Sequence, residues 1–567
     1  RDNSSGWVYG MEADPNTNDV LYIAILIFLY LVGRALFVII EIFTKKDIHS
    51  LFDIKKETFF LIIGLVVFSQ ILFIFNFFSG LVNFNITIFI IFLLIINVRN
   101  FTKIKSYKEF GLNIFLCFLL FITFYDTGLS KDSYLYHLMS QKWIYTEKIV
   151  FGLSNLNPYL GYMSISEFAS SLLNEINLNF AHIFNLVFLI SFFSLIIAFI
   201  FSKIEYYKNI AICFGVFGIL DNFGFDGGRN GFIATQEINK FDYSFSILCI
   251  LFIVFSIYSI IIKKDISNLE HLIFSLFFIY AVQLRIFGFI LFPLYFYMMF
   301  RFKKFRLIYN FSFTFLILWF IKNFINTSCF IYPVNLTCIN TGWLFPEKSK
   351  YISYLVIDSF RDPENGINTI NNLQWINEVF LPNNQNIIKN FLISVIFFKL
   401  LKILFFKHQK IKRDYVNLIK VYLSVFILFG LWIFYLPQYR FSSFFLMTSF
   451  LILNLDFLKN KHKFSINLNL IITIFSFLLL INMNDYKSFY NNPTVISQAS
   501  LPITQYEKLK NYGVKPISDI SKGILCFDRK DCYSANYELS LSNLKLNYKI
   551  IRPINKNYYL DLLQKFK

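Results

Sequence analysis

The chain has 567 residues, 56 % apolar and 20 % aromatic, with only 16 % charged and a mean hydropathy of +0.56. A soluble chain normally carries about a quarter charged residues, so an ordinary soluble protein is excluded and a polytopic membrane protein is implied. The net charge of +18 comes with a wealth of Phe, Ile, Asn and Lys over Ala and Arg, a genome-level bias that gives little support to a nucleic-acid partner.

Residues 1–19 are polar and show no signal-peptide pattern; no function is read from them. From 20 to 483 apolar runs alternate with short connectors. Fourteen runs are centred on 20–43, 58–78, 81–97, 110–125, 180–201, 210–220, 243–262, 271–283, 286–300, 307–325, 388–406, 418–436, 441–458 and 466–483. A helix needs roughly 20 apolar residues to cross the hydrocarbon core, and several runs are short, so 12–14 transmembrane helices are expected. The fold class is therefore all-α and polytopic.

Alternate connectors are basic. They carry Lys45, Lys46, Lys55 and Lys56; Arg99, Lys103, Lys105 and Lys108; Lys203 and Lys208; Lys263 and Lys264; Arg301, Lys303, Lys304 and Arg306; Lys407, Lys410, Lys412 and Arg413; then Lys459, Lys461 and Lys463. Cytoplasmic loops have this bias. The phase puts both termini outside, together with 126–179, 221–242, 326–387 and 484–567, which are also the long polar stretches.

The first long outside loop, 126–179, is the richest in chemistry. Asp126, Asp132 and His137 follow directly on a span, where ionisable groups are costly and tend to mark substrate sites. Asp132 would serve equally as a helix N-cap, and His137 as an ordinary interfacial residue. Leu135, Leu138, Met139 and Trp143, and more cleanly Ile165, Phe168, Ala169, Leu172, Leu173 and Ile176, follow helical spacing. Both stretches are too short to span and predict amphipathic helices on the membrane surface, the second opened by a Ser164/Glu167 capping box.

The segment 221–242 adds Asp221, Asp226, Arg229, Glu237, Lys240 and Asp242 among four glycines, without a phosphate-loop pattern. Arg285 sits in a two-residue break between half-length apolar runs, and Arg440 in the tight turn Pro437–Phe441. Short outside turns avoid Arg under the basic-loop rule, so these exceptions invite a lipid-linked phosphate, gripped by a guanidinium fork. Snorkelling to lipid headgroups is the plainer alternative.

Of seven cysteines, Cys117, Cys213 and Cys249 lie in apolar runs and read as small core residues. Cys329/Cys338 and Cys526/Cys532 are close pairs in outside segments, where thiols are usually oxidised, and two local disulfides are expected. A Cys-only metal site lacks the spacing. The tail 484–567 is polar and aromatic, with strand-like runs at 523–527 and 546–551, and predicts a small α/β domain outside.

Asp132-Ser-Tyr-Leu-Tyr136-His137, then Lys142-Trp143 and Gly152-Leu-Ser-Asn-Leu156, resembles a motif of a family of large bacterial membrane proteins that runs D-T-G-L-Y-H, K-W, P-G-L-x-N-L. Asp126-Thr127-Gly128-Leu129 also matches its start, which points to an insertion between the two halves and leaves open which Asp takes the family position. Phe151 stands where Pro is usual. Cys329-Phe-Ile-Tyr332-Pro333 and Pro437-Gln-Tyr-Arg440-Phe441 resemble two further motifs, in the expected order over about 320 residues.

That family looks like part of the GT-C superfamily of glycosyltransferases, whose first long outside loop carries the catalytic Asp and two surface helices. Here the loop comes after four spans rather than one. The resemblance implies sugar transfer from a polyprenyl-phosphate donor to a glycan, lipid or protein acceptor, with inversion, at a bacterial cytoplasmic membrane. Asp132 would be the general base with Asp126 as the second candidate, and His137 would orient the base or acceptor. Arg440, Arg285 and Arg229 would hold the donor phosphate, and Tyr136, Lys142 and Trp143 would line the loop or acceptor site. No metal cluster and no certain cofactor is evident, although Asp126, Asp132 and Asp242 could meet around one divalent cation. The alternatives are a flippase for a lipid-linked glycan, which would show repeats and mid-span polar residues, and a glycan polymerase or ligase. Arg34 and Glu41 are the main charges inside a span. Sugar, carrier length and acceptor are not legible in the sequence.

Overall fold

In the computed structural model the described residues are 15–45, 47–98, 136–155, 158–176, 182–218, 240–303, 311–341, 343, 375–405, 415–435, 441–459, 539–543 and 548–553. Helices α1 (Pro15–Thr44) and α2 (Phe60–Phe78) flank a short hairpin of β1 (Ser50–Leu51) and β2 (Ile54–Lys55). Helix α3 (Ile86–Val98) follows, then the short α4 (Leu138–Thr146) and α5 (Ser166–Ile176). The bundle continues through α6 (His182–Ile200), α7 (Glu205–Gly218), α8 (Asp242–Tyr258), α9 (Asn268–Leu284), α10 (Phe292–Arg301) and α11 (Phe311–Thr327). Helices α12 (Leu381–Phe405), α13 (Tyr415–Tyr435), α14 (Ser442–Leu453) and α15 (Leu455–Lys459) complete it.

Among the described residues four stretches are long and apolar enough to cross a membrane: Ile23–Thr44, Lys56–Phe78, Ile183–Ile200 and Asp242–Lys263. Five shorter apolar helices accompany them, including Ile86–Asn97 and Asn268–Leu284. The expected runs at 110–125 and 466–483 lie outside the described residues. Helix α3 exposes Ile88, Ile90, Ile91, Phe92, Leu94 and Ile95 on a surface that water would not tolerate but lipid would. Helices α6 and α8 are enclosed on every side, their apolar residues packed into the core.

Connectors predicted on the same side meet one another. At the basic end, the Phe52 amide donates to Glu270 Oε1 (2.6 Å), which also pairs with Lys263 (2.7 Å). The Tyr207 hydroxyl donates to the Phe52 carbonyl, and the Asn209 amide to that of Phe457 (3.0 Å). Glu41, expected as an in-span charge, is held at this end by Lys56 (2.5 Å) and the Ile48 amide (3.0 Å).

At the opposite end, Asn76 Nδ2 donates to the carbonyls of Ile144 (3.0 Å) and Glu147 (2.9 Å). The Gly152 amide donates to Ile325 O (2.9 Å), the Ile165 amide to Gln283 O (3.0 Å), and Asn185 Nδ2 to Lys240 O (2.9 Å). Gly152 has φ 67°, a left-handed backbone that favours glycine at this place in the motif. These bonds tie the long loop onto the ends of α2, α9 and α11.

The two short loop helices form where the periodicity predicts them, but they are not half-exposed surface helices. Residues 164–173 are buried throughout, and α4 buries Leu138, Met139, Ser140, Gln141, Trp143 and Ile144. Protein, not solvent, covers their polar faces, because α4 and α5 pack on each other and α2 and α6 pack on α5. Of the C-terminal region the described residues are Tyr548 and an antiparallel hairpin, β3 (Leu539–Asn543) with β4 (Lys549–Pro553), in register Leu541↔Ile551. The Tyr548 hydroxyl donates to Phe77 O (2.7 Å), and its ring lies 4.1 Å under Lys148 Nζ. The hairpin thus sits at the end of the bundle that bears the long loop; the run at 523–527 lies outside the described residues.

Candidate functional site

The centre of the loop end is a buried ionisable cluster. His137 and Ser140 stand one turn apart, so both side chains emerge on one face. Glu167, in the first turn of α5, reaches them both. Its Oε1 lies 2.6 Å from His137 Nδ1, and its Oε2 accepts the Ser140 hydroxyl. His137 is 1 % exposed and Glu167 fully buried. Lys322 of α11, also buried, feels the Glu167 charge and rests 4.2 Å from the Trp319 ring centroid. Phe73 packs edge-on against both Phe168 and Trp319 (5.3 Å each), closing the cluster from below.

This arrangement corrects the expected capping box. The Ser164 hydroxyl accepts from the Ser166 amide (3.4 Å) and from the Ser166 hydroxyl (2.8 Å), while the Glu167 carboxylate points away from the helix start toward His137. A buried carboxylate needs charged or hydrogen-bonding partners, and α4 supplies them.

Beside the cluster, Asp242 opens α8, where a carboxylate suits the helix N-terminus. Its Oδ1 is 2.9 Å from Arg285 Nη2. Arg285 occupies a single extended residue (φ −147°, ψ 136°) between α9 and the 3-10 turn Ile286–Leu291. Gly288 lets that turn fold back, since a Cβ there would lie 2.4 Å from the Ala281 carbonyl carbon. Arg285 is thus an ion-pair partner of Asp242 as well as an end-of-helix cation. Asp242 is paired with Arg285, while Asp126 and Asp132, its expected companions around a cation, lie outside the described residues; among the described residues no group of three His, Cys, Asp or Glu could hold a metal.

An aromatic row runs outward from His137. Tyr136 stacks on Tyr159 (5.7 Å), and Tyr162 meets Tyr332 edge-on (5.2 Å). Gly161 leaves room for the Tyr332 ring, which a Cβ would approach to 2.5 Å. Burial, with Tyr159 and Tyr136 alongside, pushes the Tyr162 phenol far above its ordinary range. The row ends on the Cys329–Cys338 disulfide, as the pairing predicted. Trp143 is a core residue and Lys142 a half-buried one on the same helix.

Asp126, Asp132, Arg229, Arg440, Cys526 and Cys532 lie outside the described residues. Sequence reasoning missed Glu167 as a site residue, along with Ser140, Lys322 and the buried Gln70–Gln283 pair joining α2 to α9. Lys322 was readable: it is an ionisable residue inside an apolar run, and belongs with Arg34 and Glu41. Glu167 was obscured because Ser164-x-x-Glu167 satisfies a commoner local explanation.

No curated protein and no solved structure matches the chain significantly. A family described as a domain of unknown function, DUF8201, matches residues 20–447. That stretch takes in the helices of both ends, the ionisable cluster and the Asp242–Arg285 pair, and the chain belongs to the DUF8201 family.

Proposed function

We propose that the chain is a membrane glycosyltransferase that moves a sugar from a polyprenyl-phosphate donor to an acceptor hydroxyl at the outer face of a bacterial cytoplasmic membrane, with inversion. The observation carrying this reading is the enclosed Glu167–His137–Ser140 cluster, which begins five residues after Asp132. Ionisable groups held inside a membrane protein mark substrate and ion sites more often than structure. Asp132, with Asp126 as second candidate, accepts the hydroxyl proton as the oxygen attacks the anomeric carbon. Arg285, Arg440 and Arg229 offset the charge on the departing lipid phosphate. A divalent cation beside that phosphate is compatible with the chemistry.

The test is transfer from a radiolabelled polyprenyl-phosphate sugar by the full chain in lipid nanodiscs. Asp132→Asn should lower the rate by about 10²–10⁴-fold while donor binding survives. If Asp126→Asn abolishes transfer and Asp132→Asn does not, the insertion has moved the motif. If neither carboxylate matters, the transferase reading fails. Lys322 and the Gln70–Gln283 pair, polar groups inside apolar helices, then favour a carrier of lipid-linked glycan, which proteoliposome translocation would reveal.

A further inference from the structure

The His137 imidazole is gripped at one nitrogen and open at the other. Nδ1 faces Glu167 at 2.6 Å. Nε2 is buried and has no hydrogen-bond partner among the described residues. An orphaned buried nitrogen costs free energy that a folded protein normally avoids, so a partner for Nε2 from the substrate is the economical explanation.

The tautomer follows from what surrounds Glu167. The Ser140 hydroxyl donates to Oε2 while Oε1 faces Nδ1, so both carboxylate oxygens are engaged as acceptors. An ionised carboxylate only accepts, so Nδ1 must carry the proton and Nε2 the lone pair. Among the described residues the ring also meets Tyr136, at 4.1 Å between centroids, and Phe241 at 5.5 Å, next to Asp242, which is itself paired with Arg285. None of these is placed to compete for Nδ1.

We propose that Glu167 and His137 form a proton-accepting dyad of the reaction site, in which Nε2 is the final holder of the proton released by the acceptor hydroxyl. This rests on the transferase reading. The acceptor O–H bond breaks and its proton ends on Nε2. The acceptor oxygen bonds to the anomeric carbon, and the carbon–oxygen bond to the lipid phosphate breaks, its electron pair staying on the phosphate. The imidazolium so formed lies against the Glu167 carboxylate, which stabilises it as a carboxylate does in a catalytic triad. Glu167 is then a positioning residue that fixes ring orientation and tautomer.

Nitrogen-15 NMR of the full chain with labelled histidine reads the tautomer directly. The His137 signal is identified in a chain whose other five histidines are replaced, six being present in all. A protonated Nδ1 with a bare Nε2 is expected, and Glu167→Gln should shift the ring toward the Nε2–H form. If Glu167→Gln does not fold, the wild-type spectrum and that of Ser140→Ala still decide. A wild-type Nε2–H tautomer overturns the dyad whatever the activity. In the transfer assay, His137→Gln should slow the rate by about 10²-fold or more. Wild-type transfer that His137→Gln leaves unchanged overturns the proton-accepting role alone. Absence of transfer by the wild type overturns the underlying reading instead.

Discussion

Gly33 and Gly64 close the crossing of α1 and α2 backbone against backbone. A Cβ on Gly33 would lie 1.9 Å from the Phe60 carbonyl oxygen, and one on Gly64 1.8 Å from that of Leu29. Small residues let helices approach this closely in membranes, where no solvent-driven force pulls them together. Gly64→Val should therefore force the helices apart and destabilise the bundle by roughly 1–3 kcal/mol or more. Gly430 of α13 is the control, since a Cβ there meets nothing within 4 Å; Gly430→Ala should be neutral or stabilising by about 0.5–1 kcal/mol. Thermal unfolding in one detergent compares the two, and equal losses would contradict the crossing.

The reading of α1 and α2 from sequence rests on their length and uniform apolarity, which survive any packing arrangement. The same holds for the phase of the connectors, because charge bias is a property of loops and not of contacts. Glu167 shows where legibility stops. Its spacing from Ser164 satisfies a local rule, and only the placement of α4 beside α5 brings His137 to its carboxylate. The burial of those two helices was not legible for a similar reason: amphipathic spacing gives a polar face but does not say whether solvent, lipid or protein covers it. Arg285 falls between, its oddity visible in sequence and its partner Asp242 visible only in the fold.

The Cys329–Cys338 link closes a short loop, nine residues apart in sequence. Non-reducing peptide mapping should recover the linked peptide, and Cys526–Cys532 is expected to appear in the same experiment. Loop-closure entropy for so short a loop is worth roughly 2–3 kcal/mol. Cys338→Ser should lower the unfolding temperature accordingly, with reductant giving the wild type at least that loss. Free thiols at Cys329 and Cys338 in material made outside the cytoplasm would contradict the pairing.

The two ends of the bundle can be assigned to membrane sides by labelling. Val82, 52 % exposed, lies in the turn between α2 and α3 at the end that carries α4 and α5. Lys203 is exposed in the turn between α6 and α7 at the basic end. In intact cells Val82→Cys should react with an impermeant maleimide and Lys203→Cys should not until the membrane is opened. Asn384 is no substitute for Val82, because it is buried in α12 and donates to Phe380 O (2.9 Å). Reaction at Lys203→Cys in sealed cells would invert the topology.

The Asp242–Arg285 pair separates structural from functional need. Asp242 is fully buried and Arg285 17 % exposed, so removing one partner leaves a charge with little water to receive it. Arg285→Met alone should cost about 3–5 kcal/mol of stability. Replacing both, as Arg285→Met with Asp242→Leu, should recover most of that loss, because a buried ion pair is often no more stabilising than apolar side chains of similar volume. The double variant is then a folded protein without the cation at the helix break. If Arg285 meets the lipid phosphate, donor binding by this variant should weaken by roughly 1.5–3 kcal/mol, the worth of a charge-assisted hydrogen bond. Unchanged binding of a polyprenyl phosphate in a folded double variant would confine Arg285 to holding α8 and α9 together, and would leave phosphate recognition to Arg440 and Arg229.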